Sequence, residues 1–194
     1  MTVAACVQSV LEKGKTVLVN TSNAHKKAEF QRYLAPMEVK STTIDIREPV
    51  SSDPFTIVQY KASQFPADAP VLVDDTSLDI EGVEIGPNVK WLLGELPNIA
   101  NGTRAAFVCI LGIRHDDHIH LYRSSTPGQI VQPPRGKDYG FRAYFQPDGC
   151  ALTMGEQIFD EFNARYHSVE KFKNNKPTEV RCVVETWEGD FQTD

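Results

Sequence analysis

The stretch VLVNTSNAHKKAEF, residues 17–30, passes from a short β-forming run through polar residues straight into a helix-forming run. The pattern predicts a buried strand over Val17 to Asn20 and a helix over Ala24 to Leu34. A strand that leads directly into a helix is the opening of an α/β unit. The polar residues 21–23 therefore lie at the carboxyl end of a strand, where open α/β sheets bind their ligands.

The rest of the chain continues this pattern and predicts an α/β fold of one domain, residues 1–194, with a mixed sheet and flanking helices. Further strands are predicted at Glu38–Ile46, Val71–Val73, Ala105–Ile113, His118–Arg123, Gln129–Gln132 and Val180–Trp187. Further helices are predicted at Thr56–Phe65, with Asp53 as its cap, at Asn88–Leu96 and at Asp160–Lys173. The hairpins in the middle of the chain make part of the sheet antiparallel.

Composition excludes several classes of protein. The formal charge of -6 and the pI near 5.4 argue against binding of long nucleic acid or an anionic membrane, because both need a basic face. The four cysteines lie far apart without a Cys-x-x-Cys pair, so they suggest reduced thiols rather than a zinc site or disulfides. No apolar run approaches the roughly 18 residues of a membrane span. We therefore expect a cytoplasmic protein that does not enter the membrane.

The strand tip is a candidate anion site. Thr21, Ser22 and Asn23 lead into a helix whose free N–H groups and dipole favour an anion such as phosphate. Lys26 and Lys27 follow one turn later, within reach of the same anion. From spacing alone, the alternative that Ser22 or Asn23 only caps the helix is the commoner use of such residues.

Acidic residues follow two other predicted strands. Asp74 and Asp75 come after a buried apolar run, and Glu48 follows the second predicted strand. An unpaired carboxylate beside a buried strand is costly unless a cation, solvent or hydrogen-bond donors meet it. The three acids could supply oxygen ligands to Mg²⁺. Acidic turn residues without a function are equally common.

Other polar residues carry weaker signals. Lys61 and Lys90 lie in otherwise neutral helical stretches, where most lysines are simply solvated. The His-Asp-Asp-His-x-His run at residues 115–120 occupies a predicted hairpin turn, where polar residues belong, so a metal role is disfavoured.

Taken together and in order, six stretches resemble the inosine triphosphate pyrophosphatase family, whose members hydrolyse noncanonical purine nucleoside triphosphates to the monophosphate and pyrophosphate. The resemblance covers about Val17 to His167. The stretches are TSNAHK from Thr21, VLVDDTSL from Val71, GPNVKWLL from Gly86, IVQPPRGKDYGF from Ile130, FQPDG from Phe145 and NARYH from Asn163.

The resemblance implies an elongated fold of two lobes around a substrate cleft, a homodimer and dependence on Mg²⁺, with Mn²⁺ as an alternative. It implies that Asp75 orients or deprotonates the attacking water and that Lys26 is also catalytic. The implied metal ligands are Glu48, Asp74 and Asp75. The implied residues for the nucleoside triphosphate are Thr21, Ser22, Asn23, Lys26, Lys61, Lys90, Tyr139, Phe141 and His167.

The chain departs from the family pattern mainly where the family reads the base. Arg142 replaces an acid, Phe162 replaces a lysine, and Tyr166 and Ser168 replace the serine and arginine around the retained histidine. Ser22 replaces a glycine in the opening loop. These changes predict a retained phosphate and metal half with a relaxed or shifted base preference. The alternative is a nucleotide-binding or regulatory relative that has lost catalysis.

Overall fold

A computed structural model of the chain describes residues 16–83, 89–137 and 140–192. The strands are β1 (Thr16–Asn20), β2 (Glu38–Thr42), β3 (Leu72–Ile80), β4 (Arg104–His115), β5 (His118–Ile130), β6 (Phe145–Pro147) and β7 (Glu179–Cys182). The α-helices are α1 (Ala24–Tyr33), α2 (Pro54–Ser63), α3 (Val89–Glu95) and α4 (Ala164–Lys173), and short 3₁₀ helices lie at Leu96–Asn98, Arg142–Tyr144 and Asp160–Phe162.

These strands form one mixed sheet in the order β2-β1-β3-β4-β5-β6, with β7 paired to β5. Strand β1 is parallel to both β2 and β3, while β5 is antiparallel to both β6 and β7. The predicted α/β class with a partly antiparallel sheet is confirmed. Among the residues that the structure describes, no helix has both the length and the apolar character needed to cross a membrane.

The chain divides into two compact units. The first contains the described residues up to Asp75, Ile110–Arg123 and the residues from Ser168 onward. The second contains Thr76–Cys109 and Ser124–His167. The strand tip, α1, α2 and all three predicted acidic residues therefore belong to the first unit.

In the first unit, helix α2 packs closely on strand β4. A Cβ placed on Gly112 of β4 would lie only 2.6 Å from Cγ1 of Val58 and 3.4 Å from Cβ of Ala62. Both helix residues are completely buried. Because glycine has no side chain, the helix can lie this near the sheet, which fixes the position of Lys61 on the same helix.

The second unit has an aromatic core of its own. Phe107 and Phe141 pack with their ring centroids 5.2 Å apart, and Phe141 meets Phe145 edge to face at 6.2 Å. All three side chains are buried. Aromatic groups supply much of the apolar area that stabilises a unit of this size.

Two predicted strand boundaries are wrong for the same reason. Strand β3 does not stop at the acidic pair but runs on to Ile80, and β5 continues unbroken to Ile130. Residues 124–130 of β5 alternate between buried and more exposed positions. The Ser, Thr, Pro and Gly residues of this stretch show no matching alternation of apolar and polar side chains in the sequence. Neighbouring strands supply the hydrogen bonds that composition does not predict.

The strand predicted at Val180–Trp187 is shorter than expected, because β7 ends at Cys182. Beyond it the chain turns to helix α2, where the backbone N–H of Val184 donates to Oγ of Ser63 at 3.0 Å. Strand β2 likewise ends at Thr42 rather than Ile46.

Asp53 caps α2, as the sequence predicts. Its Oδ1 accepts from the backbone N–H of Phe55 at 3.0 Å, and its Oδ2 accepts from Oγ1 of Thr56 and Nη1 of Arg181, both at 2.8 Å. Burial alone would raise the pKa of Asp53, but the hydrogen bonds from Arg181, Thr56 and the Phe55 backbone lower it below 3.8. The charged cap therefore joins the helix start to β7.

Replacing Asp53 with alanine should lower the free energy of unfolding by about 1–2 kcal/mol, because the helix loses its cap. The pKa of Asp53 is lower in the folded protein than in the unfolded chain. The stability that ionised Asp53 contributes is therefore fully present above pH 3.8 and is lost as the pH falls through the pKa of the folded protein. Urea unfolding at pH 7 and pH 3 measures both effects. The exposed Asp68→Ala serves as control, and an equal loss in the two variants would contradict the assignment.

Candidate active site

The tip of β1 leads into α1 through a tightly hydrogen-bonded turn. Oδ1 of Asn23 accepts from the backbone N–H groups of His25 at 2.9 Å and Lys26 at 3.2 Å, which makes it the helix cap. Oγ1 of Thr21 accepts from the N–H of Asn23 at 3.1 Å. Ser22 is exposed at the end of the turn. Asn23 thus takes the capping role left open by the sequence, and phosphate binding by residues 21–23 stays a prediction.

Lys26 extends from the first turn of α1 to a buried acid. Its Nζ lies 3.1 Å from Oδ2 of Asp74, whose side chain is 2% exposed compared with 22% for the lysine. Pairing of β1 with β3 ends at Asn20 and Val73, so Asp74 comes immediately after the last paired position. The end of β1 therefore leaves room for the Lys26 side chain to reach this carboxylate.

Lys61 is the most buried of the predicted lysines that can be assessed, with 8% of its surface exposed. Its Nζ donates to Oε1 of Glu48 at 2.6 Å and to the backbone carbonyl of Asp74 at 3.0 Å. Burial would lower the pKa of Lys61, but the charges of Asp75 and Glu48 outweigh it and raise the pKa. The ammonium group is therefore charged and links α2, the Glu48 loop and β3.

Asp75 lies in the electric field of the same groups. Burial raises its pKa to about 6, and the positive charges of Lys61 and Lys26 only partly oppose the combined effect of burial, Glu48 and Asp74. A carboxylate whose pKa approaches neutrality is better matched to proton transfer than an ordinary aspartate. The structure thus brings together Lys26, Lys61 and all three predicted acids within the first unit.

The donor set suits a hard divalent cation in type and in charge. Three carboxylates lie near two ammonium groups, and carboxylate oxygens are ligands that Mg²⁺ accepts. Asp74 and one oxygen of Glu48 are paired with lysines. In the described ranges, no group of three or more His, Cys, Asp or Glu side chains is arranged to hold a metal ion. The predicted metal site of Glu48, Asp74 and Asp75 stays a prediction.

The other predicted ligands belong to the second unit or lie outside the described residues. Tyr139 and the side chain of Lys90 lie outside the described residues. Phe141, at 7% exposed, packs in the aromatic core of the second unit. Nε2 of His167 lies 2.8 Å from the carbonyl of Glu161 in that unit. The base-binding roles of these residues stay predictions.

Sequence reasoning missed two contacts that shape the cluster. The carbonyl of Asp74 is an acceptor for Lys61, and the backbone N–H of Gln192 donates to the carbonyl of Glu48 at 2.8 Å. Both involve main-chain atoms, which every residue has. No residue type in the sequence could have marked them.

The fold and the cluster define an α/β protein with a largely buried group of lysines and carboxylates in its first unit. The chain belongs to the Ham1 family, whose pattern matches residues 17–175. The family membership predicted from the sequence is confirmed.

Relatives of known name support this assignment. An inosine triphosphate pyrophosphatase of Yarrowia lipolytica is 31% identical, with 81% of this chain and 94% of the relative covered. An inosine triphosphate pyrophosphatase of Schizosaccharomyces pombe is 30% identical, with 79% of this chain and 89% of the relative covered. A dITP/XTP pyrophosphatase of Deinococcus deserti is 27% identical, with 80% of this chain and 85% of the relative covered. The relatives are thus nucleoside triphosphate pyrophosphatases, which are hydrolases of phosphoric anhydrides, as the sequence predicts for this chain.

Solved structures share the fold. The Staphylococcus aureus Ham1 protein matches with a TM-score of 0.63 at 18% identity, covering 83% of this chain and 97% of that one. A nucleoside-triphosphatase, dITP/XTP pyrophosphatase, of Mycobacterium abscessus matches with a TM-score of 0.58 at 20% identity, covering 84% and 100%.

Asp75→Asn should raise the stability of the metal-free protein at pH 7 by on the order of 1 kcal/mol, because ionised Asp75 is disfavoured in the fold. The gain is complete above pH about 6 and disappears as the pH falls to 3.8, where the unfolded chain also protonates this group. Thermal melting in chelator across this pH range measures it. A lower melting temperature for Asp75→Asn at pH 7 would contradict the raised pKa.

Proposed function

We propose that this chain hydrolyses a nucleoside triphosphate to the monophosphate and pyrophosphate with the help of Mg²⁺. The observation that carries the proposal is the convergence of Lys26 and Lys61 with Glu48, Asp74 and Asp75 in one unit of a Ham1-family fold. The names of the relatives supply the reaction class. Mn²⁺ is the alternative metal.

The lysines have a direct use in this reaction. Each is now paired with a carboxylate, and a triphosphate offers several anionic oxygens in exchange. Transfer of Lys26 and Lys61 from carboxylates to phosphates keeps both ammonium groups paired. Positioning and charge neutralisation of this kind account for most catalysis of phosphoryl transfer.

Asp75 is proposed to act on the attacking water. The water oxygen forms a bond to the α-phosphorus, the anhydride bond to the β-phosphate breaks, and pyrophosphate leaves with the bonding electrons. Asp75 accepts the proton of the water as the general base. Glu48, Asp74 and Asp75 are the carboxylates that would hold Mg²⁺, and the ion would supply positive charge to the phosphates.

The preferred base is proposed to differ from that of the named relatives, or to be less strictly selected. Arg142, which stands where the family has an acid, is 9% exposed. A base-reading site that loses a charged partner loses selectivity by on the order of 1–3 kcal/mol. A homodimer in the cytoplasm completes the proposal.

The direct test measures pyrophosphate release from inosine, xanthosine and the standard nucleoside triphosphates with Mg²⁺. Asp75→Asn should lower kcat by about 10²–10⁴-fold because the water loses its base. Lys61→Met should also reduce activity, whereas Lys40→Met should not, since Lys40 is a highly exposed lysine. A chelator should abolish turnover.

The outcomes separate the two functions that the sequence left open. Release of pyrophosphate from any triphosphate supports the enzyme. Binding of nucleotides, seen as a rise in melting temperature without turnover, would instead identify a regulatory relative and contradict the proposal.

A further inference from the structure

The segment 183–192 lies beyond the residues that match the Ham1 family, 17–175, yet it contacts the loop that carries Glu48. This loop, residues 43–53, connects β2 to α2 and has no helix or strand of its own. Its conformation must therefore be set by contacts with other parts of the chain.

Backbone hydrogen bonds join the segment to the loop on both sides of Pro49. The N–H of Gln192 donates to the carbonyl of Glu48 at 2.8 Å, and the N–H of Val50 donates to the carbonyl of Asp190 at 2.9 Å. Pro49 and Phe191 form an antiparallel bridge between these bonds. The segment thus adds a short antiparallel pairing to the Glu48 loop.

The Phe191 ring connects the same loop to helix α2. The guanidinium of Arg47 lies 4.3 Å from the ring centroid, and the Tyr60 ring meets Phe191 edge to face at 5.8 Å. Tyr60 directly precedes Lys61, whose ammonium group holds Glu48 at 2.6 Å. One aromatic side chain therefore contacts both the loop of the acid and the helix of the lysine.

We propose that Phe191 is a positioning residue that holds the Glu48 loop so that the Glu48 carboxylate meets Lys61 and the proposed metal. This inference rests on the proposed function for its catalytic consequence. Its structural content, the fixing of the loop by Phe191, is independent of any activity. The Glu48 side chain is 34% exposed, so burial alone does not fix it.

Hydrogen exchange of the full chain without nucleotide or metal tests the structural part. In Phe191→Ala, the amides of Val50 and Gln192, which donate to Asp190 and Glu48, should exchange about tenfold faster, because the cation–π and edge-to-face contacts are lost. Phe191→Tyr keeps the ring and should exchange like the unaltered chain. Val180→Ala, at an exposed position of β7, is the control and should also leave the loop unchanged.

Kinetics test the positioning part. The Mg²⁺ concentration for half-maximal pyrophosphate release should rise about tenfold in Phe191→Ala and stay unchanged in Phe191→Tyr. A lower melting temperature with an unaltered Mg²⁺ midpoint would overturn the proposal, because it shows a purely structural role. So would unchanged exchange of the loop.

The proposal and the proposed function fail in different ways. If the unaltered chain hydrolyses no triphosphate, the proposed function is wrong, and exchange of the loop alone decides whether Phe191 positions Glu48. If the chain is active and Phe191→Ala changes neither exchange nor the Mg²⁺ midpoint, the function stands and this inference is wrong.

Discussion

The buried ammonium group of Lys61 is the constraint on which the candidate site depends. A charge taken out of water must be paired, and this one is held by the Glu48 carboxylate and the Asp74 carbonyl. These acceptors come from a loop and from β3, while the lysine comes from α2. The close packing of α2 on Gly112 of β4 lets one side chain reach both. The ammonium group of Lys61 thus connects three parts of the first unit: helix α2, the loop of Glu48 and strand β3.

The balance of charge around Lys61 explains why such a costly arrangement is useful. Two lysines lie near three carboxylates; burial is the main cause that raises the pKa of Asp75 to about 6, and the charges of Glu48 and Asp74 add to it. Under the proposed function, a cation would balance the excess of carboxylates, and a triphosphate would replace the carboxylates that pair with Lys26 and Lys61. Residues arranged for binding and proton transfer reduce the stability of the free protein, as is common at functional sites.

Sequence patterns predicted the parts of the fold that rest on local signals. The opening strand and helix and the cap at Asp53 are present, whereas the acidic pair lies inside β3 rather than at the end of a strand. The continuation of β3 to Ile80 and of β5 through Pro127 was not predicted, because pairing with neighbouring strands overrides weak local propensity. The site residues came from motif order, whereas the bonds from main-chain groups of Asp74 and Gln192 depend on tertiary structure alone.

A crystal structure with Mg²⁺ and a nonhydrolysable triphosphate tests the central claim most directly. The account predicts that Nζ of Lys26 and Lys61 lies within hydrogen-bond distance of phosphate oxygens, with Mg²⁺ on carboxylate oxygens of Glu48 and Asp75. A triphosphate bound away from these residues, with the Lys26–Asp74 and Lys61–Glu48 pairs intact, would contradict it.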